Sequence, residues 1–271
     1  MEKKYFIGQL PVWLRVSGYF VIIITAAYIA GYVPVLDSIF FYFGVALFLS
    51  FLFLKAEGKP LTSLGFVPAG ATDWSNFFRG LVLGIVALLT SAGITIWLNR
   101  GRLEFTGHAD PVFLLILILT HLWSSFAQEF TYRGYPFQRL LKSYGPGIAQ
   151  LAVPLPFALM HLKLNSSITW QLFLLTWLTT GLGSLLYGLC YLKTKKLLLS
   201  IGLHMGWNLA QALVPRSPEE SRTMFFTLVQ NTRNYHPFNV LLPYIGVTAV
   251  LMLYIWRSNT WRVNEKSSNS S

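Results

Sequence analysis

The chain has 271 residues, of which 54% are hydrophobic, 16% aromatic and only 11% charged, with a positive mean hydropathy. Those figures exclude a soluble domain, because apolar runs near twenty residues recur along the length and each can cross a hydrocarbon core of about 30 Å as a helix. The net charge of +11 does not imply a nucleic-acid partner: the basic residues lie between the apolar runs and form no groove-tracking patch.

In chain order, Lys3 and Lys4 precede the first run, but Pro11 and Arg15 interrupt it and no small-residue cleavage site follows, so a retained first span is expected rather than a signal peptide. Runs and breaks place spans near 16–35, 38–54, 76–98, 111–131, 146–162, 169–192, 197–214 and 238–256. Val33-Pro34-Val35-Leu36-Asp37 links the first two. A polar loop from Lys55 to Pro60 follows the second, with Leu64-Gly65-Phe66 as a small apolar return. Gly80 with Gly84 in the third span, and Gly202 with Gly206 in the seventh, are small-xxx-small pairs that permit close helix contact. Trp13, Trp74, Trp97, Trp170 and Trp256 fall near span ends, as an interfacial aromatic belt requires. Ser143-Tyr144-Gly145-Pro146-Gly147 is the expected turn between the fourth and fifth spans. Cys190, the one cysteine, reads as a small core residue.

The expected fold is therefore all-α: a polytopic membrane protein of about eight transmembrane helices around a polar intramembrane cavity. It forms one domain over 1–256, followed by a polar, disordered tail over 257–271. On alternating loops, starting with the N-terminus, fall fifteen of the 21 lysines and arginines. That excess places both termini in the cytoplasm, and an error of one span would scramble it. The lipid bilayer is thus one expected partner.

The chemistry-bearing residues lie inside the apolar runs. Glu129 and Arg133 stand four apart on one helical face, where they can neutralise each other. A charge at membrane depth costs about 2.5 kcal/mol or more, so a partner or a task is required. A structural ion pair is the expected role. Gln128 precedes the pair. It lies about as many residues before the 143–147 turn as His161 lies after it, so an antiparallel helix pair sets the two side by side. His204 and Asn208 share a face of the seventh span, about 12 Å from its cytoplasmic edge, with Gly202 and Gly206 pointing the other way. His121, seven residues before Gln128, is expected to pack between helices, with a substrate-channel role as the alternative; His108 and His236 are loop residues without an argued function.

Two imidazoles, an amide or carboxylate and an asparagine suit water activation with stabilisation of an oxyanion. His161 and His204 with a carboxylate also suit a zinc ion with an open coordination position. Residue types alone leave both readings standing. His161 falls near the outer end of its span and His204 near the cytoplasmic side, so a shared site needs a short or re-entrant fifth span, with Leu164-Asn165-Ser166-Ser167 packed against protein. The chain shows no internal repeat, no Gly-rich phosphate loop and no paired half-helix breaks of the kind found in secondary transporters.

At these residues the chain resembles the CAAX-protease and bacteriocin-processing (CPBP) family of intramembrane endopeptidases, which includes the prenyl-protein endopeptidases. The family pattern is Glu-Glu-x-x-x-Arg, Phe-x-x-x-His and His-x-x-x-Asn or Asp on three helices of an eight-helix fold. Here it reads Gln128-Glu129-x-x-x-Arg133, Phe157-x-x-x-His161 and His204-x-x-x-Asn208, within a family-like core of about 60–215. The resemblance implies hydrolysis of a peptide bond in a membrane-associated, lipidated or unlipidated substrate. It assigns water activation to position 128 and His161, the oxyanion to His204 and Asn208, and the brace to Glu129 and Arg133. One departure stands out: position 128 is Gln, whose amide orients water but accepts no proton. His161 alone as base, Glu129 as a substitute base, and a catalytically silent scaffold or regulator of the same fold are the readings this leaves. Glu129 is about 100° round the helix from Gln128, so serving as base would take it off Arg133.

Overall fold

The computed structural model describes residues 6–106, 110–162, 167–217, 222–229 and 235–259. Lys3, Lys4, His108, Leu164, Asn165, Ser166 and, of the expected tail, residues 260–271 lie outside them. In chain order the elements are α1 Phe6–Gln9, α2 Val12–Ala30, α3 Ile39–Ala56, a 3-10 turn Leu61–Leu64, α4 Ala71–Leu98, β1 Arg102–Phe105, α5 Pro111–Arg133, α6 Tyr135–Ala152, α7 Pro154–Leu159, α8 Trp170–Thr194, α9 Leu198–Leu213, β2 Phe226–Val229 and α10 Phe238–Arg257.

Several helices start where a short polar side chain can accept from an otherwise unpaired amide. Ser38 accepts from Phe41 N–H before α3, Asp110 from Val112 and Phe113 N–H before α5, and Thr169 from Leu172 N–H before α8. All eight expected spans fall on helices, and the all-α polytopic membrane fold holds. Among the described residues six helical segments are long and apolar enough to cross a membrane, one of them running from Pro111 to Leu159. That segment covers two expected spans, whereas α9, with 16 residues, is shorter. The five tryptophans expected in the interfacial belt are each at least 50% exposed, as lipid-facing anchors would be.

The break between the fourth and fifth spans has two parts, and the expected Gly-Pro turn is the second of them. The chain turns at Gly134, whose ψ of −117° ends the α5 geometry while its amide still donates to the Phe130 carbonyl. A Cβ there would stand 2.1 Å from that oxygen, so only glycine fits. Gly145, at φ 81° and ψ 175°, then breaks the helical geometry of α6 just ahead of Pro146, within the expected 143–147 turn. The fifth span is accordingly short: the end of α6, then the six residues of α7.

The described residues divide into two compact units, 6–69 with 126–197, and 70–125 with 198–259. In the first, α2 packs on α3 and α6, and α8 on α6 and α7. Its centre is aromatic. The Tyr135 ring stacks on Phe53 at 5.1 Å and lies 6.0 Å from Tyr19, whose buried hydroxyl reaches Ser50 Oγ.

In the second unit, the two glycine pairs turn out to be each other's partners. A Cβ on Gly80 or Gly84 would stand 2.4 or 2.2 Å from the carbonyl oxygens of Leu199 and Leu203, and one on Gly202 or Gly206 2.0 or 2.1 Å from those of Phe77 and Leu81. The backbones of α4 and α9 therefore touch, which is what the missing side chains allow. α10 packs on α4, and its Tyr244 meets Trp207 edge-on. Beyond the helix ends β1 and β2 pair antiparallel, Arg102 opposite Val229 and Phe105 opposite Phe226. Buried Ala92, Ile96, Val214 and Leu228 form a small core there. Asn99, fully buried, accepts through Oδ1 from the His236 amide and from Asn239 Nδ2, so the loop at His236 is tied down through its backbone.

Candidate active site

The C-terminal end of α5 carries Gln128, Glu129 and Arg133 in the first unit. Glu129 Oε1 and Arg133 Nη1 are 3.3 Å apart, and neither side chain has any exposed surface. Arg133 also donates through Nη2 to the carbonyl and the hydroxyl of Ser184 on α8, at 2.7 and 2.8 Å. Its guanidinium lies over the rings of Phe157 at 4.8 Å, Tyr187 at 5.3 Å and Tyr132 at 6.0 Å. The attraction in a buried ion pair offsets desolvation only when further groups satisfy the ions. Here a carbonyl, a hydroxyl and three ring faces do so for the guanidinium. Sequence spacing exposed the pair but missed Ser184 and Tyr187, whose one local signal is the small-residue stretch Gly181-Leu182-Gly183-Ser184 that lets α8 come close.

Phe157 joins this brace to His161. Its ring stands edge-on to Tyr132 at 4.9 Å and 4.6 Å from the imidazole of His161. Its carbonyl oxygen lies 2.8 Å from His161 Nδ1. A carbonyl only accepts, so Nδ1 carries the proton and Nε2 the lone pair. His161 itself lies in the turn just past α7, with its amide donating to the Ala158 carbonyl.

Gln128 and His161 line one cavity of about 230 Å³, together with Tyr42, Phe43, Thr131 and Tyr132. The remaining wall is apolar: Ile23, Ile39, Ala127 and Met160. The expected neighbourhood of Gln128 and His161 is present, although no simple hairpin around 143–147 creates it. Thr131 is turned away from hydrogen bonding in the cavity, since its hydroxyl donates to the Ala127 carbonyl one turn back. Glu129, directed at Arg133, is not among the described residues on this wall.

His204 and Asn208 lie on α9 in the second unit, His204 buried and Asn208 half-buried. With the glycine face of α9 on α4, His204, about 200° round from Gly202, looks away from that contact. Within this unit His121 lies within electrostatic reach of His204.

Structural or catalytic zinc takes at least three protein ligands, chiefly His, Cys, Asp or Glu. Among the described residues no three such side chains are grouped as a metal requires. In the first unit His161 stands with an amide, and with a carboxylate already committed to a guanidinium.

Residues 110–210 match the model of the family described as Rce1-like, type II CAAX prenyl endopeptidase. The match contains Gln128, Glu129, Arg133, His161, His204 and Asn208, and agrees with the resemblance carried by the three motifs. No curated protein and no solved structure matches the chain.

Proposed function

From the match of residues 110–210 to the Rce1-like CAAX prenyl endopeptidases, we propose that this chain is an intramembrane endopeptidase that cuts a peptide bond of a membrane-associated substrate, with His161 as general base. The observation that carries the reading is the pairing of Gln128 and a tautomerically fixed His161 on one largely apolar cavity. A water held by the Gln128 amide gives its proton to His161 Nε2 as its oxygen attacks the scissile carbonyl carbon. The tetrahedral oxyanion requires neutral donors, and the family resemblance gives that role to His204 and Asn208. As the C–N bond breaks, His161 returns the proton to the leaving amine. Glu129 and Arg133 take no part in proton transfer and keep α5, α7 and α8 in register.

The family description supports a lipidated C-terminal peptide as substrate, and the lysine and arginine excess supports cytoplasmic termini. The mechanism contains no metal step. A second reading has its own support: an amide at position 128 accepts no proton, which favours a silent scaffold that binds the peptide without cutting it. Reconstituted protein and a library of fluorogenic membrane peptides, prenylated and unprenylated, distinguish the two. The endopeptidase reading expects cleavage that falls at least a hundredfold in His161→Ala and in His204→Ala. Binding of such a peptide with no cleavage by the parent chain favours the scaffold.

A further inference from the structure

A second set of charges gathers in the first unit, away from the cavity. Glu57, just past α3, accepts from Arg15 Nη1 at 2.5 Å on Oε1 and forms an ion pair through Oε2 with Arg139 Nε at 2.7 Å. Tyr135 donates its hydroxyl to Oε1 and accepts from Arg15. Arg15 and Arg139 are each only 8% exposed, so this one carboxylate is shared between two nearly buried guanidinium groups. Arg139 stacks on the Tyr135 ring at 5.4 Å, and its Nη groups make no hydrogen bond among the described residues. Half-buried Lys59 and exposed Lys142 join them. Burial first, then the charges of Arg139 and Lys142, push the Lys59 amine below its ordinary range against the pull of Glu57. Arg15 and Arg139 thus share one carboxylate, while Lys142 lies one helical turn past Arg139 on α6 and Lys59 two residues past Glu57, so four cations gather around a single acid.

Excess charge of this kind is costly unless an anion joins it. The rim indicates which anion. Trp13 and Tyr144, 57% and 39% exposed, are joined by the Trp13 amide donating to the Tyr144 hydroxyl. Amphipathic rings of this sort sit at headgroup level. The cluster also occupies the start of α2 and the end of α3, which the lysine and arginine excess assigns to the leaflet facing the cytoplasm, where anionic lipids attract basic groups.

We propose that Arg139, Lys59 and Lys142 bind the phosphate of an anionic phospholipid headgroup, with Trp13 and Tyr144 bordering the same lipid. Arginine supplies a planar fork for two phosphate oxygens, and the lysines supply point charges. The site is separate from the cavity and does not depend on whether the chain cuts peptides.

Thermal unfolding of the full chain in neutral detergent tests this, with phosphatidylglycerol, phosphatidylcholine of the same acyl chains, and glycerol phosphate as probes. Phosphatidylglycerol is expected to raise Tm in a saturable, salt-sensitive way while phosphatidylcholine at equal concentration does not. Lys59→Gln with Lys142→Gln should weaken that binding by about thirtyfold and leave the lipid-free Tm unchanged or slightly raised. Should Lys59→Gln lower the lipid-free Tm, Lys142→Gln alone, at an exposed position, must still weaken binding severalfold. Equal response to the two lipids, or unaltered phosphatidylglycerol binding in these variants, overturns the site. An equal shift from glycerol phosphate alone overturns the lipid assignment.

Discussion

Replacing Gln128 with Glu tests the site most directly. The two side chains have the same shape, and position 128 is half-buried on the wall it shares with His161, so the change adds a proton acceptor without altering packing. A positioned general base contributes roughly 10²- to 10⁴-fold, which is about 2.7 to 5.5 kcal/mol of barrier. The new carboxylate lies at membrane depth and lowers stability by up to about 2.5 kcal/mol, less to the extent that His161 shares its proton. Initial rates on one fluorogenic membrane peptide in liposomes, for the parent chain, Gln128→Glu, and Gln128→Glu with His161→Ala, give kcat/KM for each. The expected result is a gain of at least a hundredfold in Gln128→Glu that disappears when His161 is removed. A Gln128→Glu chain no faster than its parent, while His161→Ala still abolishes cleavage, would refute the assignment of position 128 to water activation.

Arg133→Met strands Glu129 in a fully buried site and should cost about 3–5 kcal/mol; denaturation in detergent measures it, and adding Glu129→Gln should recover part of the loss. Gly84→Ala and Gly206→Ala place a methyl 2.2 and 2.1 Å from facing carbonyl oxygens and should lower stability by about 1–3 kcal/mol or more. Gly93→Ala on the same helix α4, with open space around the added carbon, should be neutral or stabilising by up to about 1 kcal/mol. Metal analysis checks the zinc reading, which requires one equivalent of zinc per chain that is lost in His161→Ala and His204→Ala; the base mechanism requires cleavage to survive chelation.

What was legible in the sequence depended on whether the physical signal was local. Span positions follow from apolar run length, and the Glu129 and Arg133 contact from a spacing of four on a helix. The glycine pairs announced close contact, yet nothing in either pair named the other across more than a hundred residues. Gly145-Pro146, a strong punctuator, marked one break correctly, whereas the break at Gly134 was hidden by Tyr132, Tyr135 and Phe137, which continue the apolar pattern. β1 and β2 were invisible for a related reason: two four-residue strands far apart in sequence lack the alternation that marks a strand. Arg15, Lys59 and Arg139 were legible as topology signals, but their convergence on Glu57 is a tertiary fact.

The opening difficulty of this sequence, two opposite charges in an apolar helix, has an answer that reaches beyond their mutual neutralisation. If Glu129 and Arg133 only cancelled each other, the guanidinium would need no ring stack and no Ser184. Instead Arg133 presses on Phe157, and Phe157 contacts His161 twice, through its ring and through its carbonyl oxygen. The carbonyl fixes which nitrogen of His161 holds the proton, and the guanidinium fixes the ring that carries the imidazole. A helix interrupted at Val153 and ending at Leu159 would otherwise hold its last side chains loosely. A charged pair directed away from the cavity thus bears on the orientation of His161, the proposed base, within it, which makes the pair's burial useful to the site even though the proposal gives neither residue a part in the chemistry.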